Sequence, residues 1–160
     1  MPKIVSNTTP ILSLLKLDKL ELLQKLYQQI YIPAEVFKEI EAGRSKKYYK
    51  DLSSIDWIKI KEIQDKQAIK YFLDLDAGEA EAIVLATELN ADLILLDEKL
   101  GRFHARYANL KVTGTIGILA RAKSDGFVEN LKPLLKELSD NGIWISQKLK
   151  NEILKKVGEN

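Results

Sequence analysis

"DAGEAEAIVLATELNADLILLD", residues 76–97, decides the fold class. Residues 76–91 read as the clearest helix of the chain, with Ala82, Ile83 and Ala86 on one row and Glu81 and Glu88 on the polar side. Residues 92–97 follow at once as an apolar strand bracketed by carboxylates. Moving toward the N-terminus, "KQAIKYFLDL" (66–75) reads as a short helix and "DWIKIKEI" (56–63) as a strand with one face wet. "RSKKYYKDLSS" (44–54) is a polar loop with partial helix, "AEVFKEIEAG" (34–43) a helix ending at Gly43, and "QIYIP" (29–33) a strand stopped by Pro33. At the start, "IVSNTTPILSL" (4–14) compresses strand, polar turn and helix. Pro10 suits that helix's first turn, Thr8 or Thr9 its cap, and the helical period runs to residue 27 with a break near Leu17–Asp18. Moving toward the C-terminus, a basic helix (98–110), a last strand and turn (111–115) and helices at 115–125, 129–141 and 146–157 complete the chain. Short apolar strands alternating with helices predict an α/β fold whose mostly parallel sheet, of about five strands, is covered on both faces.

The composition narrows the chemistry. A chain of 160 residues, 46% hydrophobic, can build a real core, and no repeat or linker divides it. The absence of cysteine excludes disulfides, thiolate metal sites and cysteine nucleophiles. A net charge of +2 neither demands nor excludes nucleic acid, because a local patch matters more than the total. The N-terminal apolar run breaks too early for a signal peptide, and no stretch approaches the roughly 20 apolar residues that span a bilayer. A soluble cytoplasmic protein, with no membrane partner, is expected.

In a parallel sheet, ligands bind beyond the carboxyl ends of the strands. Asn7 follows the first strand and Asp97 ends the fourth, so both belong on that rim. Glu79 lies in the stripe of its helix that should be buried, in the first turn, where the helix dipole favours an anion. A buried carboxylate needs a cation, a helix N-terminus or a proton. Asp97 doubles as a candidate N-cap for the helix that starts at Glu98. Glu39 borders the buried face of its own helix. Together Asn7, Glu39, Glu79 and Asp97 form a candidate ring of oxygen ligands of the kind taken by a hard cation such as Mg²⁺.

These stretches, with "IYIPAEVFKEI" (30–40), "VTGTIGILARAKSDG" (112–126) and "GIWIS" (142–146), resemble the PIN domain nucleases in order and spacing. The likeness is nearest to a PIN-like branch related to the VapC-type toxins of toxin–antitoxin operons. It implies a single PIN-like domain over residues 1–160, a three-layer α/β/α fold, and a Mg²⁺- or Mn²⁺-dependent endoribonuclease that leaves 5′-phosphate ends. The family's four acidic positions fall on Asn7, Glu39, Glu79 and Asp97. Thr8 and Thr9 match the supporting hydroxyls after the first acid. A homodimer through the apolar early helices (Leu12 to Tyr27) and an antitoxin protein are the implied partners besides RNA. Asn7 departs from the pattern: an amide offers a carbonyl oxygen but neither charge nor a base. The alternative is therefore a catalytically impaired module that binds RNA or protein without turnover.

For RNA, Lys99, Arg102 and Arg106 lie just after Asp97, with the two arginines on one helical face. "RSKKYYK" (44–50) mixes basic and aromatic residues suited to single strands. His104, the lone histidine, falls on another face and reads as structural. No His–Asp context surrounds a serine, and "VTGTIG" lacks the lysine and spacing of a phosphate-binding loop.

Overall fold

The computed structural model describes residues 1–159. Its centre is a five-stranded, wholly parallel sheet in the order β3-β2-β1-β4-β5. The strands are β1 (Ile4–Ser6), β2 (Ile30–Pro33), β3 (Ile58–Lys61), β4 (Leu93–Leu95) and β5 (Val112–Thr113). Ile4 and Val5 of β1 and the residues of β4 are apolar because both faces of the sheet are covered. Ile4 and Leu95 point into the larger core, and Val5, Ile94 and Leu96 into the smaller one.

The larger core is built from α1 (Thr8–Lys16), α2 (Glu21–Tyr27), α3 (Ala34–Glu41), α6 (Thr115–Ser124), α7 (Lys132–Asp140) and α8 (Gln147–Lys156). The smaller core lies under α4 (Ala77–Glu88) and α5 (Lys99–Tyr107). This is the three-layer α/β/α arrangement. Ala80, Ala82 and Ala86 are all buried, and their small side chains let α4 sit deep against α3, β1 and β2.

The expected break near Leu17–Asp18 separates two helices, where Asp18 takes a left-handed φ of 54° and turns the chain. Three expectations change in detail. The N-cap of α1 is Asn7 rather than Thr8 or Thr9, both of which lie inside the helix. Helix α3 ends at Glu41, and Gly43 continues through tight turns, its N–H bonding Ile40 O at 3.0 Å, instead of forming a left-handed cap. Residues Lys66–Phe72 form a 3₁₀ segment held against α4, with the Asp65 carboxylate accepting from Gln67 N–H at 3.1 Å.

Most of the apolar surface of the early helices is buried within the chain. Leu15, Leu22, Leu23 and Tyr27 are buried in one cluster with Leu131, Leu135 and Leu138 of the C-terminal half. The chain covers these residues with its own helices, while Leu12 and Leu26 stay half-buried. Among the described residues no helix is long and apolar enough to cross a membrane.

Candidate active site

The strand order reverses direction between β1 and β4, and a parallel sheet opens a crevice beyond its carboxyl ends at such a point. Asn7 and Asp97 leave the sheet there. The Asn7 N–H donates to Leu95 O at 2.9 Å, which extends the ladder by one residue and pins the turn beside β4. Asn7 is buried, yet its Oδ1 has no hydrogen-bond partner.

From Asn7 a chain of contacts runs round the rim. The Thr8 hydroxyl donates to Glu39 Oε2, and Gly78 N–H donates to Glu39 Oε1 at 3.2 Å. Glu39 thereby joins the first turn of α1 to the first turn of α4. Burial raises the Glu39 carboxyl above its ordinary value, the Thr8 hydroxyl opposes this, and the nearby charge of Asp76 adds to the rise.

Glu79 comes next. It is 7% exposed and its Oε2 has no partner. Burial, a hydrogen bond to Asp76 and the charges of Asp76 and Glu98 push it up to about 8. The cap of α4 is Asp76, which accepts from Glu79 N–H at 2.8 Å, so Glu79 is left free of the capping role its position in the first turn allowed. Asp97 does not cap α5, whose N-cap is Glu98. It turns instead to α6, accepting from Thr115 N–H and Thr115 Oγ1, each at 2.6 Å.

Each carboxylate lies against a glycine from a different segment. A methyl group placed on Gly78 would lie 2.5 Å from Glu39 Oε1; on Gly101, 2.6 Å from Glu79 Oε2; on Gly114, 2.5 Å from Asp97 Oδ1. None of these glycines has a left-handed backbone, so space alone requires them.

The basic residues divide. Arg102 is half-buried, its Nε has no partner, and its Nη1 lies 3.5 Å from the same methyl position on Gly114 that meets Asp97. Arg106, one turn on, is exposed and lines a shallow depression with Lys99, Phe103 and Tyr107. Thr9 is half-buried in the first turn of α1. His104 is structural, its Nε2 lying 2.9 Å from Asp74 Oδ2 and its ring edge-on to Phe72. In the 44–50 loop, Arg44 sits over the Tyr49 ring and Tyr49 bonds Glu41, so that stretch is tied into the fold.

Glu39, Glu79 and Asp97 form no salt bridge among the described residues. Uncompensated carboxylates and two orphaned oxygens, Asn7 Oδ1 and Glu79 Oε2, suit a hard divalent cation. Among the described residues no three acidic side chains stand close enough to hold one ion between them. The oxygens of Glu39 and Asp97 are occupied by hydrogen bonds, whereas Glu79 Oε2 and Asn7 Oδ1 have no partner.

Sequence reasoning passed over Asp76, Thr115 and the three glycines. Asp76 carried a signal: an Asp three residues before a Glu is the spacing of a capping box. Thr115 carried none, since its role exists only because α6 begins beside β4.

A family model, DUF3368, described as a PIN domain, matches residues 3–159. The chain belongs to this PIN domain family. PIN domains are in general nucleases that bind RNA and use divalent metal ions. The PIN domain here also resembles the solved structure of a PilT N-terminus domain protein from the hyperthermophilic archaeon Sulfolobus solfataricus P2. The two share a TM-score of 0.57 at 22% identity, over 76% of this chain and 93% of that one, a likeness of fold. No curated protein matches the chain significantly.

Proposed function

We propose that residues 1–160 form one PIN-like domain that acts as a metal-dependent endoribonuclease, with its Mg²⁺ or Mn²⁺ held at the rim where β1 and β4 diverge. The observation that carries this reading is the pair of buried, unpartnered acceptors, Asn7 Oδ1 and Glu79 Oε2, on a rim whose carboxylates have no ion-pair partner. Glu79 supplies the charge and Asn7 its carbonyl oxygen; Asp97 and Glu39 complete the ring directly or through the cation's waters. A cation bound there would activate water and stabilise charge developing on the phosphodiester. Thr8 orients Glu39, Thr115 orients Asp97, and Thr9 supports the same turn. Arg102, whose Nε has no partner and whose Nη1 lies near the Gly114 position that meets Asp97, is placed to meet a phosphate. On the resemblance alone, the reading extends to a toxin paired with an antitoxin protein, and to a homodimer.

The test is cleavage of a mixed single-stranded RNA pool with Mg²⁺ or Mn²⁺, run beside Glu79→Gln and Asp97→Asn proteins purified in the same way. Metal-dependent cutting by the native chain, lost in both variants, is expected. Equal cutting by all three would mean a contaminating nuclease. Binding without cutting would favour a module whose site Asn7 has disabled.

A further inference from the structure

The rim leaves one face of α5 unexplained. Phe103 and Tyr107, one turn apart, are 61% and 84% exposed. Neighbouring exposed rings that form one apolar patch mark a surface used for binding. Lys99 and Arg106 line the same shallow depression, and neither has a salt-bridge partner among the described residues. Cations and rings therefore alternate along one side of the helix. The helix is firmly placed: Gly101 lies against Glu79, and His104 bonds Asp74 while holding the Phe103 ring edge-on, with centroids 5.7 Å apart.

Three features select the occupant. Unpaired cations next to rings fit a ligand that presents anionic groups and flat apolar faces together, as a nucleic acid strand does. A duplex keeps its base faces stacked inside, so these rings have nothing to take from it, whereas an unpaired strand offers every base. Position adds direction, since α5 begins two residues after Asp97 and rises about 6 Å per four residues away from the rim. We infer that this face of α5 is a stacking track for single-stranded RNA, with bases on Phe103 and Tyr107 and phosphates on Lys99 and Arg106, feeding the strand to the rim. The track rests on the ribonuclease reading for its direction and is tested apart from it.

The experiment is fluorescence anisotropy with a labelled, unstructured, uridine-rich 12-nucleotide RNA in EDTA, where cleavage is silent. The Phe103→Ala/Tyr107→Ala protein should bind at least tenfold more weakly than the native chain, and Phe103→Trp/Tyr107→Trp should restore binding. Lys99→Ala/Arg106→Ala should flatten the salt dependence, because two phosphate contacts are gone. A duplex of matched length should bind weakly and show no aromatic dependence. Unchanged affinity of the aromatic double-alanine protein overturns the track, as does native protein that fails to bind the single strand. So does a change in oligomeric state, by light scattering, with RNA affinity intact, which would give the face to a second copy. If cutting is lost in Glu79→Gln while the aromatic variant binds normally, the track falls and the nuclease stands. If the aromatic variant loses binding and no metal-dependent cutting is found, the track stands and the nuclease falls.

Discussion

Glu79 holds a proton at neutral pH when no cation is present, because burial and the neighbouring Asp76 push its carboxyl to about 8. In the unfolded chain the same group ionises near pH 4.3. Between those values the fold keeps a proton that the unfolded chain has released. Its contribution to stability is therefore complete below about pH 4.3 and is lost as pH rises toward 8. Metal-free Glu79→Gln protein should consequently melt higher than the native chain at pH 8, with the two curves converging near pH 4 in thermal scans. A cation must displace that proton, so calorimetric Mn²⁺ affinity should rise roughly tenfold per pH unit up to about pH 8. Asn7→Asp adds a negative charge to the same rim. It should tighten Mn²⁺ binding at least tenfold by calorimetry and lower the metal-free melting temperature. Much of this site is legible in the amino-acid sequence alone: Asn7 and Asp97 by following strands, Glu79 by sitting on an apolar row. What periodicity could not reveal was how each group is used, since the bonds of Asp97 to Thr115 and of Glu39 to Thr8 depend on elements distant in sequence.

Helix α4 carries both core and chemistry, and its sequence announced it, because a run rich in alanine and aliphatic residues, buried on nearly every side, outweighs any local ambiguity. The strands were legible for a related reason: "IVS", "IYIP" and "LIL" are short apolar runs between turn signals, as fully buried parallel strands must be. The segment 66–72 was less legible, since its apolar residues serve a 3₁₀ turn as well as an α-helix. Where elements meet at the rim, the glycine contacts make a sharp forecast. A methyl group at Gly78, Gly101 or Gly114 collides with a carboxylate at 2.5–2.6 Å, and the carboxylate ends are the atoms free to swing away. Gly78→Ala and Gly101→Ala should lower metal-dependent cleavage at least tenfold and weaken Mn²⁺ binding, while the melting temperature moves by only a few degrees. Gly78→Ala also improves helix propensity, which offsets part of any strain.

At the scale of the molecule, the Glu159 carboxylate ties the end of the chain to Lys123 of α6 and to the start of α7. Burial works against ionised Glu159, yet N–H groups of Leu131 and Lys132 and the Lys123 ammonium hold its carboxyl below the usual range. Glu159→Gln should cost about 1–3 kcal/mol at pH 7. In denaturant titrations that cost should shrink as pH falls through the native carboxyl's value, because the native chain then loses the same charge. Viewed whole, the rim draws its fixed pairs from far apart in the chain: Glu39 with Gly78, Glu79 with Gly101, Asp97 with Gly114. The consequence is historical. A lineage of such chains cannot enlarge one member of a pair without shortening or removing the other, so drift at these glycines is closed while the acids keep their length. Across relatives the pairs should vary together or not at all, and an alanine at position 78 should travel with a shorter residue at position 39.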